Sequence, residues 1–281
     1  MPKNINEYSN LIIVRGAGDI ASGTIYRLCQ CGFAVIALEV EKPTVIRRTV
    51  AFASAVTDGE VTVEALTAIR CDAEKDIVQA LETGKIPVCV DSKGAWIKKL
   101  NPLGVVDAIL AKKNMGTTRE MAPIVIGMGP GFTAGIDVDV VIETNRGHNL
   151  GRVIYCGAAA DNTGVPGDIG GYTHERVIRA PTSGVISIVR DIGAFVVPGN
   201  CLATIGDKEV TTKIAGVVRG MIAEGTIVHE EMKIADVDPR SKLDFCYTIS
   251  DKARNLSGGV LEAILHYLSK IKTEKIDIRR T

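Results

Sequence analysis

The sequence has few aromatic residues and no excess of charge of either sign. Aromatic side chains make up 4% of the 281 residues, and 33 basic residues balance 33 acidic ones. Without a net charge, the chain lacks the long-range attraction by which basic proteins hold nucleic acid or anionic membranes. Hydrophobic residues nevertheless form 46% of the chain, so we expect its cores to be mainly aliphatic.

The chain also lacks the apolar segments and the metal-binding spacings that define other classes. No run approaches the roughly 18 apolar residues that cross a bilayer, and residues 1–10 contain no apolar signal-peptide segment. The seven cysteines include no Cys-x-x-Cys pair and the four histidines show no ligand spacing, so no metal site is expected. We expect a cytoplasmic protein with reduced thiols and neither a nucleic-acid nor a membrane partner.

A glycine turn near the N-terminus is the most informative motif that is present. An apolar run at 12–14 enters a Gly-x-Gly-x-x-Ala turn at 16–21, which opens a helical segment. A second apolar run, 34–38, follows that segment and ends in Glu39. This order of strand, glycine turn, helix, strand and acid is typical of a dinucleotide-binding crossover.

Each residue of this turn has a predicted role. Gly16 permits the tight turn, Gly18 lets the backbone approach a pyrophosphate, and Ala21 is small enough for the helix to pack on the strand. Glu39 is placed to accept hydrogen bonds from a ribose diol. Asp19 fits less well, because a carboxylate beside the phosphate site would repel the ligand; its structural alternative is a helix N-cap.

The remainder of the first half predicts an α/β fold with a mainly parallel sheet. Helical patterns separate further apolar runs, which lie at 61–69, 86–90, 105–110, 123–126 and 138–142. Such runs are typical of strands that are buried on both faces. We therefore predict a Rossmann-like nucleotide-binding domain over residues 1–172.

A repeat with a period of 32 residues occupies 179–237 and predicts a second, smaller β domain. The motif Gly-Val-Ile at 184–186 recurs as Gly-Val-Val at 216–218, and Gly193 recurs as Gly225. Two such copies can bury each other's apolar faces in a closed structure. The pattern resembles the barrel-sandwich fold of biotinyl and lipoyl carrier domains, for which we expect bounds of 173–238. A helical segment, 239–281, is expected to return to the first domain, so that the barrel is an insertion.

Lys208 lies in the hairpin that joins the two copies. In the carrier domains that the repeat resembles, the modified lysine sits on this hairpin. The alternative is an ordinary exposed lysine in a turn.

A second glycine-rich region and a polar turn follow two of the predicted strands. Gly129 and Gly131 lie in a four-glycine loop at 127–135, which indicates either a close approach to phosphate or a Gly-Pro turn. Arg146 and His148 follow the strand at 138–142, where parallel sheets place ligands. We expect Arg146 to bind an anion and His148 to transfer protons; the alternative is a capped turn. Arg47 is a further candidate for a phosphate contact, or else part of a solvated charge run.

The long motifs of the chain resemble one family. The matching segments are RGAGDIASG at 15–23, IRR at 46–48, DAILAKKN at 107–114, GPGFTAG at 129–135, ETNRGH at 143–148, NTGVPG at 162–167, DVDPR at 236–240 and ISDKAR at 249–254. Together they resemble the YqeB-like accessory proteins of selenium-dependent molybdenum hydroxylases, with a Rossmann half similar to that of XdhC-type chaperones. The resemblance implies a role in maturing a molybdenum hydroxylase, with that client protein as partner.

Three hypotheses about function follow. The first is an accessory factor that binds a nucleotide or a molybdopterin-type cofactor in the predicted cleft. The second is an NAD-dependent oxidoreductase, favoured by Glu39, and the third is a lipoyl-type carrier modified on Lys208. The residues leave open which of NAD, another nucleotide or molybdopterin dinucleotide is bound. They identify no catalytic residue, and a homo-oligomer is compatible with them.

Overall fold

A computed structural model describes residues 5–278, and its largest element is a nine-stranded sheet. The first half of the chain contributes the strands β1 (Leu11–Arg15), β2 (Ala34–Glu39), β3 (Glu60–Val63), β4 (Leu66–Arg70), β5 (Ile86–Val90), β6 (Gly104–Asp107), β7 (Ile124–Met128), β8 (Thr133–Ala134), β9 (Val140–Ile142), β10 (Val153–Ile154) and β11 (Gly157–Ala158). The sheet has the order β10-β9-β7-β6-β1-β2-β5-β4-β3, and β8 pairs with β11 separately. All its strand pairs are parallel except β3 with β4 and β9 with β10, at its two edges. The predicted α/β class with a mostly parallel sheet is confirmed.

Helices cover both faces of this sheet. They are α1 (Asp19–Gln30), α2 (Ala55–Asp58), α3 (Glu74–Glu82), α4 (Ala95–Leu100) and α6 (Asp251–Ile278), whereas the short α5 (Asp244–Tyr247) packs against residues 216–221 further back in the chain. Along β1, Ile12 and Val14 belong to one core and Leu11 and Ile13 to the other. Because alternate side chains of a strand point to opposite faces, a strand with a core on each side is apolar at every position.

Helix α6 returns the chain to the large sheet and packs on α1. A Cβ atom at Gly23 of α1 would lie 2.7 Å from the Cβ of Ala253, so the two helices touch almost backbone to backbone. The sequence predicts a helical segment over 239–281, and within it the structure has one long continuous helix, α6, which includes Gly259. Gly259 does not break it because the missing side chain lets the helix approach the carbonyl oxygen of Gly151.

Two predicted strands end earlier, or divide, in the structure. The apolar run at 61–69 forms the hairpin of β3 and β4, which turns at Glu64 with a φ of 52°. The run at 105–110 leaves the sheet after Asp107, and Leu110 has a φ of 58°. Both positions lie in the left-handed region of backbone conformation, which interrupts a strand.

The repeat region forms two four-stranded antiparallel sheets. Its strands are β12 (Val177–Arg179), β13 (Gly184–Ile188), β14 (Phe195–Val196), β15 (Cys201–Ile205), β16 (Lys208–Thr211), β17 (Gly216–Met221), β18 (Ile227–Val228) and β19 (Lys233–Asp238). The sheet orders are β12-β19-β17-β14 and β16-β15-β13-β18. An offset of 32 residues carries β13, β14 and β15 onto β17, β18 and β19, and one sheet order onto the other.

The two copies of the repeat exchange strands and share one core. Each sheet contains two strands of either copy, so neither copy forms a sheet alone. Equivalent residues of the two copies are buried together, as are Leu202 with Ile234 and Ile205 with Val237. The period of 32 residues seen in the sequence therefore reflects this shared burial.

Direct hydrogen bonds join the repeat region to the segment that follows β2. The Met221 amide of β17 donates to the Ile46 carbonyl oxygen at 2.6 Å, and Arg48 donates to the Met221 carbonyl oxygen at 2.8 Å. Within residues 5–278, no helix has the length and apolar character needed to cross a membrane.

Candidate functional site

The candidate site lies at the carboxyl ends of the parallel strands. From β1 the chain moves to β2 on one side, and it later places β6 on the other side of β1. Ligands of open α/β sheets bind at such a reversal of strand order, outside the strand ends. The predicted glycine turn follows β1 at this point.

The glycine turn brings the ends of β1 and β6 together. Gly16 has a φ of 91°, and a Cβ atom there would lie 3.0 Å from the carbonyl oxygen of Ala108. Gly18 is the N-cap residue of α1, and Ala21 is buried against the sheet. Asp19, predicted as a possible N-cap, is instead the first residue of the helix. The turn thus has the predicted shape, with glycine required at Gly16.

The carboxylate of Glu39 completes this turn. One of its oxygens accepts a hydrogen bond from the Ala17 amide at 2.9 Å, and the other accepts from the Val40 amide at 2.8 Å. An amide that could face a phosphate is therefore already paired with an acid of the protein. The structure places Glu39 as a cap on the turn; a ribose contact by this residue stays a prediction.

A cavity of about 580 Å³ opens beside the turn and is lined mainly by charged and polar side chains. Seven basic side chains line it, against four acidic ones. The basic residues are Arg47, Lys112, Arg146, Arg176, Arg219, Lys233 and Lys252, and the acidic ones are Asp19, Asp161, Asp168 and Asp236. An excess of cations in a concave site concentrates the field and attracts anions.

Two buried arginines form the floor of this cation cluster. Arg47 and Arg219 are each 6% exposed, and both donate to the carbonyl oxygen of Phe245, at 2.7 and 3.3 Å. Burial and the neighbouring Arg219 lower the pKa of Arg47. The Nε of Arg47 is buried with no hydrogen-bond partner among the residues that the structure describes. Like charges held this close favour a bound anion.

Two lysines of the cavity have lowered pKa values. Burial lowers the pKa of Lys233, although its side chain remains accessible, and the cations Arg176 and Arg219 lower it further. Burial and then Arg146 lower the pKa of Lys252. Neither ammonium group hydrogen-bonds or ion-pairs within residues 5–278. An anion in the cavity would supply the missing partner.

A loop over residues 159–172 covers the cavity and is held at both ends. Glu143, 6% exposed, accepts hydrogen bonds from the amides of Asn145 and Ala160, each at 2.7 Å. Arg176 donates to the Gly167 carbonyl oxygen at 2.9 Å and to Asp236 at 2.5 Å. Glu143 and Arg176 therefore position the wall of the cavity through backbone groups.

Arg146 lies in the cavity as predicted, but it is already paired. Its guanidinium donates two hydrogen bonds to Asp251, at 3.1 and 3.2 Å, and this contact lowers the pKa of Asp251 to about 2. Because Asp251 is the first residue of α6, the pair attaches the start of that helix to the end of β9.

The other predicted site residues lie around the cavity or away from it. Gly131 has a φ of 105°, and a Cβ there would lie 2.5 Å from the backbone of Lys113, while one at Gly129 would meet Thr144. Protein atoms thus occupy the space beside both glycines, as in the predicted alternative of a structural turn. His148 lines a separate, shallow cavity beside α6. Ligand contacts by these three residues stay predictions.

Asp137 and Asp139 are close enough in sequence to suggest a metal site, but their carboxylates accept hydrogen bonds from other groups of the protein. Asp139 accepts from Arg119 at 2.9 Å and from the Val125 amide at 2.8 Å, and Asp137 accepts from the Thr133 amide at 2.8 Å. No cluster of three or more possible metal-binding side chains occurs in the described range 5–278. Lys208 is exposed at the start of β16, one residue beyond the turn.

Sequence reasoning missed five basic residues of the cavity: Lys112, Arg176, Arg219, Lys233 and Lys252. The last four lie far along the chain from the glycine turn, in the repeat region and on α6. A signal was present, because Lys252 belongs to the motif at 249–254 and Lys233 lies close to the motif at 236–240. These motifs carried the family resemblance without indicating a shared site.

A relative supports the YqeB-like part of the resemblance seen in the sequence. The chain is 53% identical over 255 residues, or 91% of its length, to the uncharacterized protein YqeB of Escherichia coli strain K12. It spans 47% of the length of that relative. This similarity supports a YqeB-like family, and no family model matches the chain.

Similarity to solved structures is weak. The apo structure of the ectoine utilization protein EutE (DoeB) from Ruegeria pomeroyi is 10% identical, with a TM-score of 0.26 over 80% of this chain and 85% of the other. A succinylglutamate desuccinylase/aspartoacylase structure from Rhodobacter sphaeroides is 13% identical, with a TM-score of 0.26 over 82% and 85%. Scores this low support no argument about fold or function.

Proposed function

We propose that this YqeB-like chain binds a phosphorylated cofactor, of the nucleotide or molybdopterin type, in the cation-lined cavity. The observation that carries the proposal is the cluster of Arg47, Arg219, Lys233 and Lys252 at the reversal of strand order. Two buried guanidinium groups and two ammonium groups without protein partners match the charge of a di- or triphosphate. The apolar lining residues Ile20, Leu110 and Met128 would contact the organic part of the ligand.

The proposal includes a finer description of the fold. Residues 1–172 would form a Rossmann-like domain, 173–238 a barrel-sandwich domain, and 239–281 a helical segment that returns to the first domain. The cavity would then lie where all three meet, since Asp19, Arg219 and Lys252 line it together. A ligand there would contact all three segments.

We further propose that the protein acts in the cytoplasm as an accessory factor for a selenium-dependent molybdenum hydroxylase. The support for this role is the resemblance of the motifs, several of which contribute residues to the cavity, among them Asp19, Arg47 and Lys252. In this role the cavity would hold a cofactor for delivery to the client enzyme.

Calorimetric titration tests the binding proposal. NAD, ATP and molybdopterin dinucleotide would be titrated separately into the purified chain at low and high salt. We expect heat from at least one of them and weaker binding at high salt, because ionic screening reduces the attraction between the cations and phosphate. Lys233→Met should weaken binding, whereas Lys208→Met, at an exposed turn, should leave it unchanged. Absence of heat from all three ligands would contradict the proposal.

A cellular experiment tests the accessory role separately. Cells that lack the gene would be complemented with the wild-type chain, with Lys233→Met or with Lys208→Met, and molybdenum hydroxylase activity would be measured in extracts. We expect the wild type and Lys208→Met to restore activity and Lys233→Met to fail. Unchanged activity in cells without the gene would rule out this role even if a ligand binds.

A further inference from the structure

Asp19 differs from Asp236, the other acid that lines the cavity beside the buried cations. It is the first residue of α1, its side chain is 34% exposed, and its carboxylate lies 3.7 Å from a terminal nitrogen of Arg47. At that distance the contact is an ion pair without a hydrogen bond. The Asp19 side chain accepts no hydrogen bond from the residues in 5–278, whereas Asp236 is bonded to Arg176 at 2.5 Å.

The charge of Asp19 affects cations on three different segments of the chain. It raises the pKa of Arg47 and of Lys233, opposing the effect of burial on both groups. It also raises the pKa of Lys252, which lies in the first turn of α6. Asp236 acts on the first two of these cations, and Asp251 acts on the third. Asp19 therefore acts on three cations of the cluster, Arg47, Lys233 and Lys252.

A carboxylate in this position weakens the binding of any phosphate ligand, and ligands differ in whether other contacts offset that loss. An inorganic polyanion has only electrostatic attraction to offer, so a negative charge among the cations removes much of its binding energy. An organic phosphate also buries apolar surface, here against Ile20, Leu110 and Met128. The repulsion by Asp19 can then be offset by contacts that an inorganic ion cannot make.

We infer that Asp19 sets the affinity threshold of this cavity: its charge weakens phosphate binding as a whole, so that small inorganic polyanions such as pyrophosphate, which make no apolar contacts, bind poorly. The inference rests on the proposed function, because it assumes that the cluster binds phosphate. The competing structural role is a favourable interaction of Asp19 with the N-terminus of α1, which would affect stability and leave anion affinity unchanged.

The test is titration of inorganic pyrophosphate into the wild type and Asp19→Asn, with ATP as a second ligand. Asparagine keeps the size of the side chain and removes its charge. We expect pyrophosphate to bind Asp19→Asn about tenfold more tightly, as for the removal of one partly screened charge close to the ligand. Asp161→Asn is the matched control, because Asp161 is an exposed acid at the rim of the same cavity and a smaller effect is expected there.

The outcomes separate the two proposals. One outcome would overturn the role of Asp19 and leave the proposed phosphate site intact. In that outcome ATP binds, but the affinity of Asp19→Asn for pyrophosphate is no higher than that of the wild type or of Asp161→Asn. If neither protein binds any phosphate ligand, the proposed function fails and this inference with it. Thermal melting verifies that Asp19→Asn is folded, and Asp19→Ser provides a second uncharged variant if it is not.

Discussion

The two walls of the cavity are built from polar groups in opposite ways. On the sheet side, the glycine turn is satisfied internally, since Glu39 accepts the Ala17 amide and Gly16 packs on Ala108. On the side of the repeat region, the buried Arg219 and the accessible Lys233 hold positive charge that the protein only partly compensates. A satisfied polar group stabilises the fold, whereas an uncompensated buried charge is costly unless something binds it. The difference indicates that the polar groups of the glycine turn are structural, whereas the cations on the side of the repeat region contact the phosphate of the ligand.

The largest expected effect comes from removing the charge of Arg219. Its two partners remain satisfied without it, because Arg47 still donates to the Phe245 carbonyl and Arg240 donates to Asp238 at 2.6 and 2.9 Å. Arg219→Met should therefore weaken nucleotide binding roughly 10- to 100-fold, the value of one charge-assisted contact, without lowering the melting temperature.

Arg240→Met is the matched control for this change. Arg240 is a cation on the same acid, Asp238, but it does not line the cavity. Titration and thermal melting of both variants would be compared with the wild type. Equal losses of affinity in the two variants would show that nucleotide binding depends on the total charge of the protein, and not on the position of Arg219 in the cavity.

The two glycines of the turn should respond very differently to a methyl group. Gly16→Ala places a side chain at a φ of 91° and against Ala108, which should lower the free energy of unfolding by about 2 kcal/mol. Gly18 has a φ of −64°, and a Cβ there would meet only Val45 at 3.5 Å, so Gly18→Ala should be nearly neutral. Urea denaturation measures both. A large loss at Gly18 would mean that its role is not limited to close approach by a ligand.

A smaller effect on stability is expected at Glu39. Glu39→Gln leaves one acceptor oxygen for two amides, so one of them loses its partner at a cost of about 1 kcal/mol. Nucleotide affinity should not change, because the side chain faces the turn. Urea unfolding and titration with NAD, each on the wild type and Glu39→Gln, would measure the two effects. Lost NAD binding with unchanged stability would instead support the ribose contact that the sequence predicts.

The sequence predicts those features that depend on residues close together in the chain. The glycine turn at 16–21 and the continuous apolar run of β1 are local patterns, and the 32-residue repeat is visible because equivalent core positions must be apolar twice. The cation cluster is not local. Arg47 and Arg219 are 172 positions apart, and their proximity depends on the pairing of β17 with residue 46. Nothing in either neighbourhood indicates the other.

The sequence also does not show which of the predicted site residues already have a hydrogen-bond partner within the protein. Arg146 and Glu39 have the residue types that a binding site needs, and both lie near the expected strand ends. The structure gives them protein partners, Asp251 and two backbone amides. A sequence shows which groups can bind a ligand but not which of them already have a partner.

The smallest effect, and the finest test of the two walls, is the pH dependence of binding. The pKa values of Lys233 and Lys252 lie below the ordinary lysine value of 10.5, mainly because of burial. Between each lowered pKa and 10.5, the unfolded chain binds more protons than the folded one, so these lysines make the empty protein more stable as the pH rises. Phosphate affinity has the opposite sign, because deprotonated lysines no longer attract an anion. We expect affinity to fall with rising pH before ordinary lysines titrate, and Lys233→Arg with Lys252→Arg to flatten that profile, since arginine stays protonated. If the pH dependence of binding is unchanged in the double variant, the two lysines do not face the ligand, and the buried arginines Arg47 and Arg219 alone bind the phosphate.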